Sequence, residues 1–242
     1  MWIGYLLSIP HAQLKALLPL LCLLLLVGCS ATTTAVVPKG CAGGAFNLCL
    51  QGQAQVRMET TRGVILLEVD GEAAPVTAGN FIDLVRRGVY DGTVFHRVVR
   101  KPVPFVIQGG DPISADPKTS REQFGTGGFV EPDSGQIRTI PLEVKLKTEL
   151  EPRYGRLTTS PSDLLKLQLS HERGAIAMAR SQAPDSASAQ FYIALRPLPE
   201  LDGRYAVFGK VIKGLEVIDA IRQDDRILQV SVVNELAIAP DV

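Results

Sequence analysis

Four clusters between residues 95 and 211 hold the side chains that could do chemistry. The first is Phe95-His96-Arg97-Val98, and the second runs from Phe105 and Val106 through Ile107 and Gln108 to Gly109-Gly110-Asp111. The third is Ala177-Met178-Ala179-Arg180-Ser181 followed by Ser188-Ala189-Gln190-Phe191-Tyr192-Ile193. The fourth is Leu201-Asp202-Gly203-Arg204-Tyr205 with Ala206-Val207-Phe208-Gly209-Lys210-Val211. Arg97 is a permanently charged donor with several N–H groups in a rigid fork. Phe105, Tyr192, Leu201 and Tyr205 in the other clusters offer apolar area. No Cys follows Cys49, and with His11 near the N-terminus only His96 and His171 remain, far apart. A catalytic thiol is thereby excluded, and neither a metal nor any other cofactor is expected. The chemistry on offer is grip on an apolar group beside a fixed cation. Asp111 and Asp202 each adjoin Gly and read as turn residues. His96 should face away from Arg97, since adjacent strand residues point to opposite sides. His171 reads as a surface residue.

The elements that must carry these clusters are mostly strands. Val56, Met58 and Thr60 alternate with Arg57 and Glu59, Thr61-Arg62-Gly63 supplies a turn, and residues 55–69 read as a β-hairpin. A helix follows, with Pro75 in its first turn, an apolar stripe of Val76, Phe81, Leu84 and Val85, and a stop at Arg86-Arg87-Gly88. Further strands are expected over 94–98, 105–108, 175–178, 191–195, 207–211 and 228–238, with a second helix over 215–222. About eight strands with two helices is not the alternation of a parallel α/β sheet. The expected fold is mainly β, a closed eight-stranded antiparallel barrel capped by two helices. Residues 112–140 read as loop. Residues 144–166 read as an insertion large enough to cover one face of the barrel or dock a partner, and Leu164, Leu165, Leu167 and Leu169 point to a short helix at its end.

Composition narrows the function classes. The chain of 242 residues is 46% hydrophobic and 21% charged, which fits one folded domain plus a tail. Lys+Arg and Asp+Glu both number 25, so the excess of cations that nucleic-acid binding requires is missing.

Taken together and in order, the four clusters resemble the cyclophilin family of peptidyl-prolyl cis–trans isomerases, over residues 55–239. The resemblance implies a cyclophilin-like barrel and an isomerase, or rotamase, that assists protein folding. It makes Arg97 the catalytic arginine, Phe105 the floor of the proline pocket and Gln108 the amide that binds the peptide backbone. Substrate contacts are implied for Val106 (where the family usually has Met), Ala179, Arg180 (often Asn), Gln190, Tyr192 (Phe), Leu201 and Tyr205 (often His). Glu200 stands where cyclosporin-sensitive members carry Trp. Gly125-Thr126-Gly127-Gly128 resembles the loop near the pocket for the residue preceding X–Pro. The segment Arg100-Lys101-Pro102-Val103-Pro104 is longer than the family's usual link. The partners implied are proline-containing polypeptides. Two rivals stand beside the enzyme: a module that binds proline segments with little or no isomerase activity, and a barrel that carries a small hydrophobic ligand. The second would need a roomy interior, whereas Val, Ile, Leu and Phe are expected to fill this one.

The N-terminus reads as an address. Residues 16–27 form an apolar run behind Lys15, shorter than the roughly 20 residues a membrane-spanning helix needs and suited to a signal peptide. Leu26-Val27-Gly28-Cys29 resembles the lipobox of bacterial lipoproteins. That resemblance implies cleavage after residue 28 and a fatty-acylated Cys29 that attaches the chain to a membrane on the exported, periplasmic face of the cell envelope. An ordinary cleaved signal and an uncleaved anchor are the alternatives. Residues 29–54 read as a flexible tether. Cys41 and Cys49 are then an even remainder in an exported chain, where a disulfide is favoured, although two unbridged thiols are also compatible.

Overall fold

The computed structural model describes Cys41 and residues 48–236. The signal segment, Cys29 and the first part of the tether lie outside the described residues. The main sheet has eight strands in the order β10-β1-β2-β9-β7-β8-β4-β3, all antiparallel. Strand β1 (Gln53–Thr60) turns into β2 (Gly63–Asp70), and helix α1 (Pro75–Arg86) follows. Then come β3 (Arg97–Val98), β4 (Val106–Gly109), β7 (Ala175–Met178), β8 (Phe191–Ala194), β9 (Val207–Lys213), helix α3 (Leu215–Ala220) and β10 (Ile227–Leu236). Between β4 and β7 lie a separate two-stranded pair, β5 (Glu143–Val144) with β6 (Arg153–Tyr154), and the short helix α2 (Pro161–Leu164).

The sheet curls into a half-barrel but does not close, which corrects the closed barrel expected from the sequence. Edge strand β3 is only two residues long, so β10 has no partner along most of its outer edge. The seam is stitched by a few backbone contacts and by two side-chain bonds, from the Val230 N–H to Asp91 Oδ1 at 2.8 Å and from Arg226 Nη1 to the Gly92 carbonyl at 2.6 Å. Val94 forms an isolated bridge with Arg226, and the Phe95 N–H donates to the Asp225 carbonyl at 2.9 Å. The remaining strand expectations hold to within a residue or two at most ends.

The inner face follows the period-two pattern. In β1 residues Ala54, Val56, Met58 and Thr60 are buried, and in β2 Ile65, Leu67 and Val69. Helix α1 lies against this face, with its Phe81 ring 5.0–5.8 Å from the rings of Tyr90, Phe191 and Phe208. The helix start has no side-chain cap of its own. Instead Glu143 reaches in from β5, and its carboxylate accepts the N–H groups of Val76 at 3.2 Å and Thr77 at 2.8 Å. The insertion is therefore anchored through its first strand. Leu142, Val144, Leu146 and Leu167 pack with Ala206 in a small cluster of their own. Leu165, by contrast, is exposed, and the helix in this region covers 161–164, taking in Leu164 but ending before Leu165, Leu167 and Leu169.

The folded unit also begins earlier than the expected end of the tether at 54. Leu50 is buried and its N–H donates to the Pro75 carbonyl at 3.1 Å, while the Gly71 N–H donates to the Gly52 carbonyl at 2.7 Å. Gly79 on α1 lets this segment approach, since a Cβ there would lie 1.5 Å from the Leu48 carbonyl oxygen. Cys41 and Cys49 are paired, and both pack against the main core.

Candidate active site on the outer face of the sheet

Strands β7 and β8 are buried on both faces. Ile176, Met178, Phe191 and Ile193 turn inward to the main core. Val106, Ala175, Ala177, Tyr192, Ala194, Leu198 and Val207 form a second apolar cluster on the opposite side. Phe105, Leu169, Ala179, Leu201 and Tyr205 pack against it while remaining partly exposed. The result is an apolar cup on the outside of the half-barrel.

Register places the polar groups beside it. Arg97 on β3 pairs with Gln108 on β4, Gln108 with Tyr192 on β8, and Tyr192 with Ala177 on β7. These four residues form one row across the sheet. An Arg97 Nη1 hydrogen donates to Gln108 Oε1 at 3.4 Å, Gln108 Nε2 to Gln190 Oε1 at 3.2 Å, and Gln190 Nε2 to the Gly127 carbonyl at 2.8 Å. The two amides thus hold Arg97 in line with the loop over 125–128. His96 turns to the other side, where a Cβ on Gly125 would lie 3.3 Å from its ring. Burial pulls the His96 imidazole below its ordinary value.

The walls of the cup carry a buried polar chain that sequence reasoning missed. His171, expected at the surface, is 1% exposed. Its backbone N–H donates to Asp202 Oδ1 at 2.8 Å, and its Nδ1 lies 2.7 Å from the same oxygen. On the other side its Nε2 lies 2.8 Å from the Tyr192 hydroxyl. With Nδ1–H directed to the carboxylate, Nε2 accepts the Tyr192 O–H. Burial drives the Tyr192 phenol well above its usual value, so it stays a donor. Asp202 is therefore more than a turn residue, because it ties the Leu201–Tyr205 wall to the floor of the cup. No local signal reveals this, since the partners lie 31 and 21 positions apart.

Asp111 also exceeds its turn role. It is fully buried, and its carboxylate accepts N–H groups from Ile113, Gly125 and Gly127 at 2.6–3.2 Å. Gly127 is required there, because a Cβ would lie 2.3 Å from Asp111 Oδ1. The glycine-rich loop was the available hint.

At the rim, Glu200 pairs with Arg196 at 2.7 Å, and the Arg196 guanidinium lies 5.9 Å from the centre of the Phe105 ring. Arg180 stacks over the Tyr205 ring at 4.7 Å. Among the described residues no group of three or more His, Cys, Asp or Glu is placed to hold a metal ion.

A curled antiparallel half-barrel with an apolar cup outside, a row of arginine and amides across its edge strands and a sealed aromatic core defines the cyclophilin-like class. The family model for the cyclophilin type peptidyl-prolyl cis-trans isomerase matches residues 55–239, and the chain belongs to that family. It is 36% identical over 196 residues to a protein of Synechocystis sp. named as a thylakoid lumen peptidyl-prolyl cis-trans isomerase, covering 76% of this chain and 48% of that one. The chain thus spans about half the length of that relative. A peptidyl-prolyl cis-trans isomerase of Schizosaccharomyces pombe is 36% identical over 165 residues, covering 68% of this chain and 82% of the relative. A crystal structure of a Cryptosporidium parvum cyclophilin type isomerase, determined in the presence of the dipeptide Ala-Pro, superposes with a TM-score of 0.53 at 25% identity, over 74% of this chain and 99% of that one.

Proposed function

We propose that the chain is an exported peptidyl-prolyl cis–trans isomerase that accelerates rotation about X–Pro bonds in proteins of the cell envelope. The observation that carries this reading is the row from Arg97 through Gln108 to Gln190, set beside the cup of Phe105, Tyr192, Leu201 and Tyr205.

The X–Pro bond crosses a barrier of roughly 18–20 kcal/mol and takes tens to hundreds of seconds unaided. No covalent bond breaks, so a catalyst need only bind the twisted amide better than either planar form. The cup grips the proline ring, with Phe105 as floor and Val106 behind it. Gln108 and Gln190 offer amide groups to the peptide backbone, and Ala179 on the adjoining strand end offers its carbonyl, its N–H being donated to the Gln190 carbonyl at 2.9 Å. Twisting ends the amide resonance and leaves a lone pair on the proline nitrogen. Arg97, the exposed member of the row, directs N–H groups at that lone pair. A charge-assisted hydrogen bond of this kind contributes about 1.5–3 kcal/mol, or one to two powers of ten in rate. Desolvation in the cup and binding of the flanking peptide supply the rest.

Export and attachment rest on the sequence and on kinship. The apolar run before Leu26-Val27-Gly28-Cys29 suits a lipoprotein signal, and the Synechocystis relative carries a lumenal name. The pairing of Cys41 with Cys49 suits the same oxidising compartment. On this reading Cys29 carries the lipid and a short tether leads to the domain.

A proteolysis-coupled assay on a proline peptide tests the activity. Acceleration above the uncatalysed rate supports the enzyme, whereas peptide binding without acceleration turns the reading to a proline-segment module. Fatty-acid labelling tests the anchor: label on the wild type and none on Cys29→Ser is expected, and label on the mutant would exclude Cys29 as the lipid site.

A further inference from the structure

Beside the proline cup lies a second hollow of about 220 Å³, reached along the same groove because Gln108, Gln190 and Ala179 border both. Its other walls are the 125–127 loop, Arg180, Ser181, Ser186 and Ser188. They are hydroxyls, amides and backbone with one charged side chain and no carboxylate. Arg180 is pinned in place by neutral acceptors only. Its Nε and Nη2 donate to the Arg204 carbonyl at 3.0 and 2.8 Å, and its Nη1 to the Ser181 and Gln182 carbonyls at 2.8 and 3.1 Å. No carboxylate neutralises it among the described residues. The nearby acids are engaged elsewhere: Asp111 with the N–H groups of Gly125, Gly127 and Ile113, and Asp185 with the Leu142 N–H. Ser188 Oγ accepts the Phe129 N–H at 3.0 Å, and its own hydroxyl hydrogen is available to a ligand.

The hydroxyls of Ser181, Ser186 and Thr126 already donate to Ser186 Oγ, the Ala183 carbonyl and the Gln123 carbonyl. A fixed guanidinium with no carboxylate partner, beside the free hydroxyl hydrogen of Ser188, is a site for an anionic side chain. We infer that Arg180 is a specificity-determining residue: it selects peptides with Asp or Glu at the position before the X–Pro pair, whose side chain enters this hollow. The inference rests on the isomerase reading for the direction in which the peptide runs. The preference is carried by electrostatics in a partly open pocket, so it is modest and sensitive to salt.

The test uses the full chain and three peptides of the form Xaa-Ala-Pro-Phe, with Glu, Ala or Lys as Xaa. At low ionic strength kcat/KM for Glu should exceed that for Lys by about threefold to tenfold, with Ala between them, and the ratio should shrink toward one in about 1 M salt. Arg180→Gln should bring the Glu/Lys ratio near one, and Arg180→Glu should invert it. Equal values for the three peptides on the wild type, or a ratio untouched by salt, would overturn the inference even where a variant fails to fold. Should no peptide be accelerated, the isomerase reading fails by itself. Calorimetric binding of the Glu and Lys peptides then decides the pocket alone: tighter binding of Glu supports it, and equal binding overturns it.

Discussion

The two faces of the same strands follow opposite rules. Inward from β4, β7 and β8 stand Ile107, Ile176, Met178, Phe191 and Ile193, closed over by α1 and its Phe81. Outward stand Gln108, Ala177 and Tyr192, in a row that ends on the exposed Arg97. The inner face gains stability from removing apolar area from water. The outer face leaves a cup half open and keeps polar groups unsaturated at its edge. The backbone that the core makes rigid is the backbone that aligns the site, so one fold supplies stability on one side and chemistry on the other.

The largest effect should separate the two faces by stability. Phe81→Ala removes the centre of the aromatic cluster and should cost about 3–5 kcal/mol in urea denaturation, while kcat/KM per folded molecule changes little. A loss below about 1 kcal/mol would show that the inner face is not the stabilising one. Arg97→Ala is the converse. It should lower kcat/KM at least about tenfold, the counterpart of a 1.5–3 kcal/mol charge-assisted bond, with the denaturation midpoint unmoved. Unchanged kinetics at unchanged stability would remove Arg97 from the site.

His171 should sharpen the comparison, because it is a buried group that serves the outer face. His171→Leu leaves Asp202 and the Tyr192 hydroxyl without their partner and should cost about 1–3 kcal/mol. As a positioning residue it should also raise KM more than it lowers kcat, since the cup loosens while Arg97 keeps its place. Tyr192→Phe, which frees only one hydrogen bond, should do the same more weakly. An effect on stability with KM untouched would confine His171 to packing.

The smallest effect is a change of slope. Burial holds the Glu143 carboxyl above its ordinary value in the folded chain, against the hydrogen bonds that favour its anion. The fold thus prefers the protonated form. Its contribution to stability is fully present below the carboxylate range of the unfolded chain and declines as pH rises through the folded value. The stability of the wild type relative to Glu143→Gln should therefore fall as pH rises above the ordinary glutamate value of about 4.3. A difference that grows with pH would mean that the helix N-terminus outweighs burial at this site.

Much of this was legible in the chain itself. Period-two alternation set the strands, Pro75 and Gly88 bracketed the long helix, and the four clusters carried the family and the residues of the row. These signals are local: each depends on neighbours within a turn or a strand. What the chain could not disclose depends on contacts between distant segments. Whether the barrel closes depends on β3 having too few residues to pair with β10, a matter of where the chain leaves the sheet. The burial of His171 depends on Asp202 and Tyr192 arriving from other elements. Likewise no local pattern marks Glu143, whose role depends on α1 being placed over it. Polar residues show this most sharply. An apolar side chain announces its burial by its type, but a buried polar one is tolerated only where a partner satisfies it, and that partner is chosen by the tertiary structure alone.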